Sequence, residues 1–140
     1  MDQPLRLAID VHMVGERETG NETYTLNLVR SLLHQFPNHC YTLLTAHREV
    51  LTRHLPARAV ACLADVPANP LHRLLLTIPR IVHQTRAHLL HVNYIAPPYV
   101  KCPIVVTVHD IAYALYPRFF SPRDRLLLSV LVPLTLRRAA

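Results

Sequence analysis

Short apolar runs alternate along the chain with amphipathic stretches. The apolar and β-branched runs predict five strands, at Leu5–Val11, Tyr41–Ala46, Ala59–Leu63, His88–Asn93 and Pro103–Val108. Apolar residues that recur every three to four positions predict helices at Glu22–Phe36, His47–His54, His72–Thr85 and Arg123–Arg138. Strands that alternate with helices imply right-handed crossovers between parallel strands. The pattern therefore predicts one α/β domain over residues 1–140, a doubly wound parallel sheet.

Two glycines lie between the first predicted strand and the first predicted helix. Gly15 and Gly20 are the only glycines of the chain. The free N–H groups and the dipole at a helix start favour an anion such as a diphosphate, which makes Gly20 a candidate binding residue. The alternative is structural, because the loop can need glycine for its backbone while Thr19 and Glu22 form a capping box. Glu22 favours this alternative, since its carboxylate takes the place and charge that a phosphate needs.

A histidine and an aspartate follow the most β-branched strand. His109 and Asp110 come directly after Val108, and ligands of parallel sheets bind beyond the carboxyl ends of the strands. An imidazole there can donate to a sugar hydroxyl or move a proton near neutral pH. The alternative is that Asp110 caps the following loop and His109 bonds to Asp110.

Two further loops end at the same edge of the predicted sheet. Asn93 and Tyr94 begin a segment that two prolines stiffen, Pro97 and Pro98, and that can shape a pocket. Tyr113 belongs to an aromatic cluster that either packs under its loop or binds a sugar.

Composition excludes some classes of function. The net charge of +6 comes mainly from scattered arginines, and only nine residues are Phe or Tyr. Nucleic-acid surfaces combine a basic stripe with aromatic stacking platforms, so we expect no nucleic-acid partner. The histidines at 88 and 91 point to opposite faces of a strand, and no CxxC is present, so we expect no metal site.

Cysteine usage and hydropathy predict a cytoplasmic protein. Cys40, Cys62 and Cys102 are odd in number and sit beside apolar residues, which favours reduced thiols in the core. The chain does not open on a secretory signal pattern. Its longest apolar run, Leu126–Leu136, is shorter than the roughly 20 residues that span a bilayer. Arginines on both sides of that run leave open a peripheral contact with the inner face of a membrane, against the alternative of a core helix with solvated ends.

Several motifs resemble family-4 glycosyltransferases of the GT-B fold, in the order that this family has them. The resembling segments are Leu-Ala-Ile-Asp-Val-His-Met-Val at residues 7–14 with Glu18-Thr19-Gly20, Tyr24–Val29, His91–Pro98, and Val105–Tyr113 followed by Tyr116-Pro117 and Phe120. The resemblance covers the chain from about residue 5 to its last residue and implies a Rossmann-like, acceptor-side N-terminal domain.

The resemblance also implies an activity. It would be a retaining transfer of a sugar from a nucleotide-sugar donor to a hydroxyl of a glycan or lipid-linked acceptor, with no cofactor and no metal. Gly20 would approach the donor diphosphate, and His109 and Asp110 would contact the transferred sugar. Asn93, Tyr94 and Tyr113 would bind the acceptor.

The chain departs from the family pattern in two places. Many relatives have a second glycine where this chain has Glu22, and they continue past the position of Ala140 into a second domain that grips the nucleotide sugar. We therefore expect the chain to be inactive alone and to need a complementing C-terminal domain, in the same or a separate chain. The alternative is a non-catalytic Rossmann-like module that binds a sugar or nucleotide.

Overall fold

Five parallel strands form one sheet in the order β3-β2-β1-β4-β5 in a computed structural model that describes residues 3–17, 19–55 and 61–140. The strands are β1 (Arg6–Asp10), β2 (Cys40–Thr45), β3 (Ala61–Asp65), β4 (Leu89–Asn93) and β5 (Ile104–Thr107). Each lies within two residues of its predicted bounds. The predicted start of the third strand, residues 59 and 60, lies outside the described residues.

Helices connect the first four strands, no helix lies between β4 and β5 in the described range 61–140, and two helices follow β5. The helices are α1 (Thr19–Gln35), α2 (Arg48–His54), α3 (Pro70–His72), α4 (Ile78–Gln84), α5 (Ala112–Leu115) and α6 (Pro122–Leu136), with a short 3₁₀ turn at Pro117–Phe119. Helix α1 begins three residues before its predicted start at Glu22, so Thr19 is its first residue rather than its cap.

The predicted helix around Pro79 is interrupted on the N-terminal side of this proline. A π-helical turn, Arg73–Thr77, separates α3 from α4. Pro79 has no N–H to donate to the carbonyl four residues earlier, which disfavours a regular α-helix there. Single π turns inside helices occur frequently at functional sites, and this one begins at Arg73.

The sheet is covered on both faces, because alternate residues of each strand point to opposite sides. Ala8 of β1 packs on one side with Ile78 and Val82 of α4. Its neighbour Ile9 packs on the other side with the apolar face of α1 and with Leu51 of α2. The predicted fold class is confirmed: the chain is an α/β protein with an all-parallel, doubly wound sheet of the Rossmann-like kind.

The strand order reverses at β1. The chain runs from β1 outward through β2 to β3, then returns to place β4 on the other side of β1 and β5 beyond it. The connections on the two sides leave the sheet in opposite directions, so a crevice opens beyond the carboxyl ends of β1 and β4. In open α/β sheets this is where ligands bind.

Helix α6 is anchored mainly near its C-terminal end. Val132 and Thr135 are its buried residues. The hydroxyl Oγ1 of Thr135 accepts a hydrogen bond from the backbone N–H of Ala96 at 3.0 Å, and Arg138 donates to the carbonyl of Pro97 at 2.7 Å. Several leucines and valines of α6 are exposed, so the interpretation of residues 126–136 as a core helix is wrong.

All three cysteines are free thiols, but the prediction that they lie in the core is wrong. Cys40 and Cys62 are exposed, and only Cys102 is partly buried. Burial raises the pKa of the Cys102 thiol. Among the residues that the structure describes, no helix is both long and apolar enough to cross a membrane.

Candidate functional site

A cavity of about 700 Å³ opens at the carboxyl edge of the sheet, where the strand order reverses. Loops that follow β1, β4 and β5 line it together with the start of α1, the segment around Arg73, and the N-terminal half of α6. Five of the six residues predicted as a site lie on its surface: Gly20, Asn93, Tyr94, Asp110 and Tyr113. The structure therefore brings together residues that are up to 93 positions apart in the sequence (113 − 20).

Asn93 joins the ends of three strands. Its Nδ2 donates to the backbone carbonyl of Asp10 at 3.3 Å, and its Oδ1 lies 3.0 Å from Nε2 of His109. The amide donates through nitrogen and accepts through oxygen, so His109 must donate this bond and carries a proton on Nε2. Asn93 is buried, and its orientation is fixed from both sides.

His109 lies behind the cavity surface. Its ring contacts Tyr24 edge-on, with 4.8 Å between ring centroids, and Tyr94 at 5.7 Å. Tyr94 has a left-handed backbone with φ of 60°, which is unfavourable for a bulky side chain and is found mostly where surrounding structure enforces it. His109 thus holds Asn93 and Tyr94, which line the cavity, in place.

Asp110 does not bond to His109. Its Oδ1 accepts from the backbone N–H of Ala112 at 2.9 Å, which fixes the start of α5, and its side chain is exposed at the cavity rim. The capping alternative is correct for Asp110, whereas the expected bond from His109 is replaced by the bond to Asn93. Tyr113 is buried yet reaches the cavity, so it serves both packing and lining.

The two glycines have different roles. Gly15 has φ of +103°, and a Cβ there would lie 3.0 Å from His47, so the backbone itself requires glycine. Gly20 is helical, and a Cβ there would meet no atom within 4 Å. Glu22 turns back to accept from the N–H of Gly15 at 3.1 Å. The space beside Gly20 is therefore open to the cavity.

Asp10, His12 and Arg73 form a chain of hydrogen bonds at the cavity that the sequence pattern did not indicate. Nδ1 of His12 lies 2.8 Å from Oδ1 of Asp10, and Nη2 of Arg73 lies 3.1 Å from Nε2 of His12. A guanidinium can only donate, so Nε2 of His12 accepts and its proton resides on Nδ1, which donates to Asp10. Asp10 and His12 are two positions apart at the end of the first predicted strand, a spacing that could have indicated a pair. Nothing in the sequence distinguishes Arg73 from the other arginines in predicted helices.

The loop that follows β1 also carries an exposed carboxylate, Glu16, which pairs with His47. Nε2 of His47 lies 2.7 Å from a carboxylate oxygen of Glu16, and this hydrogen bond lowers the pKa of Glu16. Both side chains are exposed, so the pair adds little to stability. In the described part of the chain, no group of three His, Cys, Asp or Glu side chains could hold a metal ion.

His91 lies under the site on β4. Its Nε2 is 2.9 Å from the hydroxyl of Thr107, and its Nδ1 is buried without a hydrogen-bond partner. Burial lowers the pKa of His91; the carboxylate of Asp10 partly offsets this and His109 adds to it. The folded protein thus disfavours the charged form of His91.

Acidification should therefore destabilise the fold through His91. The unfolded chain binds this proton near pH 6.5 and the folded chain only at lower pH, so stability falls as pH drops below about 6.5, by at most about 1.4 kcal/mol per pH unit. We expect the loss of unfolding free energy between neutral and mildly acidic pH, measured in urea, to be smaller in His91→Gln. His34→Gln, at an exposed position, is the control. Equal pH dependence in His91→Gln and the unmodified chain would contradict this assignment.

Comparison of the chain with protein-family models, with curated proteins and with solved structures finds no match in any of the three. The fold and the cavity are therefore known from the structure alone. The glycosyltransferase motifs remain a resemblance, and because one fold hosts many functions, function has to be argued from the chemistry of the site.

Proposed function

We propose that this chain forms the acceptor-side domain of a retaining GT-B glycosyltransferase that moves a sugar from a nucleotide-sugar donor to an acceptor hydroxyl. The observation that carries the proposal is the combination of side chains on the cavity surface at the point where the strand order reverses. Asn93, Tyr94 and Tyr113 lie there together with Asp110. Sugars need this mixture of aromatic surface and fixed polar groups, because each ring has apolar C–H faces and hydroxyls around its edge.

Asn93 is the group best prepared to orient a hydroxyl. Two of the four hydrogen bonds that its amide can make are used inside the protein, by Asp10 and His109. One Nδ2 proton and one Oδ1 lone pair remain, on a side chain that cannot rotate without breaking both bonds. Such preorganisation lowers the entropic cost of holding an acceptor in one geometry.

The open space beside Gly20 supports a donor diphosphate at the start of α1. A glycine in the first turn of a helix costs stability relative to alanine, and no neighbouring atom requires it at this position. The N–H groups and the dipole of α1 favour an anion there. Glu22 is bonded to Gly15, so its carboxylate does not fill this space.

Transfer requires donor and acceptor to be held together, since catalysis depends on interactions realised in the transition state. In this proposal His109 keeps Asn93 and Tyr94 in place beside the transferred sugar, and Asp110 stands at the rim of the cavity. A second, donor-side domain, in the same or another chain, would complete the cleft. A non-catalytic sugar or nucleotide binding module uses the same cavity without that partner.

Two substitutions of His109 separate its hydrogen bond from its ring. His109→Phe keeps the ring contacts and removes the bond to Asn93, whereas His109→Gln keeps a donor and removes the ring. We expect sugar binding, measured by saturation-transfer NMR over a panel of nucleotide sugars and glycosides, to weaken about tenfold in His109→Phe, the effect of one lost hydrogen bond. His109→Gln should retain most of it.

The possible outcomes discriminate the two candidate functions. Binding that is unchanged in both variants would favour the non-catalytic module. Absence of binding for every nucleotide sugar and glycoside, in a chain that is folded by its amide spectrum, would refute the transferase proposal.

Gly20→Ala tests the donor side. The methyl group enters open space in a helix, so we expect the free energy of unfolding to rise by about 0.5–1 kcal/mol. The same methyl group stands where the diphosphate would approach, so nucleotide-sugar affinity should fall about tenfold. Thermal denaturation and calorimetric titration measure the two effects. Unchanged affinity in a stabilised Gly20→Ala protein would exclude Gly20 from the donor site.

We also propose that α6 contacts an anionic membrane surface, the place where a lipid-linked acceptor would be met. Its exposed apolar residues include Leu126, with 68% of its surface exposed, and Val130, with 48%. Arg123 and Arg125 in its first turns are exposed. Arg138 is not available, because it donates to the carbonyls of Pro97 and Val100.

Liposome flotation tests this contact. We expect binding to vesicles that contain phosphatidylserine at low salt and its loss at high salt, because exposed charges are screened. Leu126→Gln should weaken binding. Leu71 lies outside α6 and has 58% of its surface exposed, so Leu71→Gln is the control and should bind as the unmodified chain does. No binding at low salt would end the membrane proposal and leave the transferase proposal untouched.

A further inference from the structure

Arg73 is the one arginine or lysine that is buried among the described residues, with 8% of its surface exposed. Its Nη1 donates to the carbonyls of Pro67 and Ala68 at 3.4 and 3.2 Å, and its Nη2 donates to His12. Its Nε is buried and has no partner. Of the five N–H donors of a guanidinium, two are therefore unused.

Arg73 forms no ion pair in the described part of the chain. Its charge reaches the exposed Glu16 carboxylate only as the smallest of the contributions that lower the pKa of Glu16, of which the hydrogen bond from His47 is the largest. Within the described ranges, no carboxylate oxygen lies within ion-pair distance of its guanidinium. The carboxylates on nearby segments already have partners: Asp10 accepts from His12, Glu16 from His47, and Asp110 from the backbone of Ala112. A buried charge without a partner costs several kcal/mol, so a group at this position that serves only packing would be expected to be neutral.

Other groups that favour negative charge line the same cavity. Arg17 lines it, is exposed, and makes no hydrogen bond or ion pair with another described residue. Gly20 and Asn21, in the first turn of the 17-residue helix α1, also line it. The N–H groups and the dipole at that helix start attract negative charge. The buried carboxylate of Asp10 does not contact Arg73, because the imidazole of His12 lies between them and bonds to both.

We propose that Arg73, with Arg17 at the rim, binds an acidic group, a phosphate or a carboxylate, of the ligand that occupies this cavity. An anion there supplies an ion-pair partner and accepts from the unused Nη2 proton of a guanidinium that the carbonyls of Pro67 and Ala68 hold in place. The unpartnered Nε is covered by the protein and adds to the cost of burying this charge. Arginine suits both acids, because its planar fork matches two oxygens.

The anion site does not depend on the transferase. Assigning the acidic group to the sugar acceptor does rest on the proposed function, and it then restricts the acceptors to those that carry a phosphate or a carboxylate. A neutral acceptor would leave Arg73 without an ion-pair partner in the bound state as well.

The test is an NMR titration of the 140-residue chain at low ionic strength with inorganic phosphate, glucuronate and glucose. We expect phosphate and glucuronate, but not glucose, to shift the amides of residues 12–17 and 71–74, and the shifts to decline with added chloride. Whichever of the two binds more tightly shows whether the site prefers a phosphate or a carboxylate. Arg73→Gln should weaken binding at least about tenfold.

A second variant covers the risk that Arg73→Gln fails to fold. Arg17→Gln removes an exposed charge and should weaken phosphate binding about threefold, whereas Arg53→Gln, an exposed arginine of α2 away from the cavity, should leave it unchanged. Equal effects of these two variants, or shifts by glucose as large as those by phosphate, would overturn the anion site. If phosphate binds at these residues and no sugar or nucleotide sugar binds the chain, the result would support the anion site and count against the transferase.

Discussion

The reversal of strand order at β1 is the constraint on which the rest of this structure depends. Because β2 and β4 pair with opposite edges of β1, the chain cannot cover the carboxyl end of β1 with one continuous connection. The hydrogen bond from Asn93 to the carbonyl of Asp10 spans this gap and ties β4 to β1 beyond the last shared pair of the ladder. The residues at these two strand ends, Asp10 and Asn93, are buried and line the cavity.

The strands and most of the cavity residues could be predicted from the sequence, because both depend on local patterns along the chain. Strand positions follow from short apolar and β-branched runs, and in a parallel sheet the ends of those runs must meet at one edge. That is why Gly20, Asn93, Tyr94, Asp110 and Tyr113 could be singled out before their contacts were known. His109 was identified for the same reason, although its partner was not: the strand end fixed where the imidazole begins, whereas the choice between Asp110 and Asn93 is made by the packing of its ring between Tyr24 and Tyr94.

The burial of Arg73 and its contact with His12 could not be predicted from the sequence. Arg73 lies in a helical stretch with an ordinary amphipathic pattern, and its burial results from the π-helical turn and from the approach of His12, 61 residues earlier. Neither follows from local propensity. The cysteine positions are mispredicted for a related reason: an apolar neighbour in the sequence does not show whether a strand position is covered in the fold. Cys40 is the first residue of β2, and Cys62 lies on β3, an edge strand of the sheet. Cys40 and Cys62 lie in the sheet but are exposed.

The two sides of the cavity should differ in stability. The side formed by β1 and β4 belongs to the buried sheet, whereas the segment from Ala96 to Val100 is joined to α6 through Thr135 and Arg138. Helix α6 buries few side chains of its own, and elements with few buried contacts open locally at lower free energy than the core. A ligand that fills the cavity would meet Leu127 and Leu128 of α6 as well as Asn93, because all three line it. Its binding would therefore order α6 and the proline-bearing loop as one unit against a fixed strand edge, so part of the binding energy is consumed in stabilising α6.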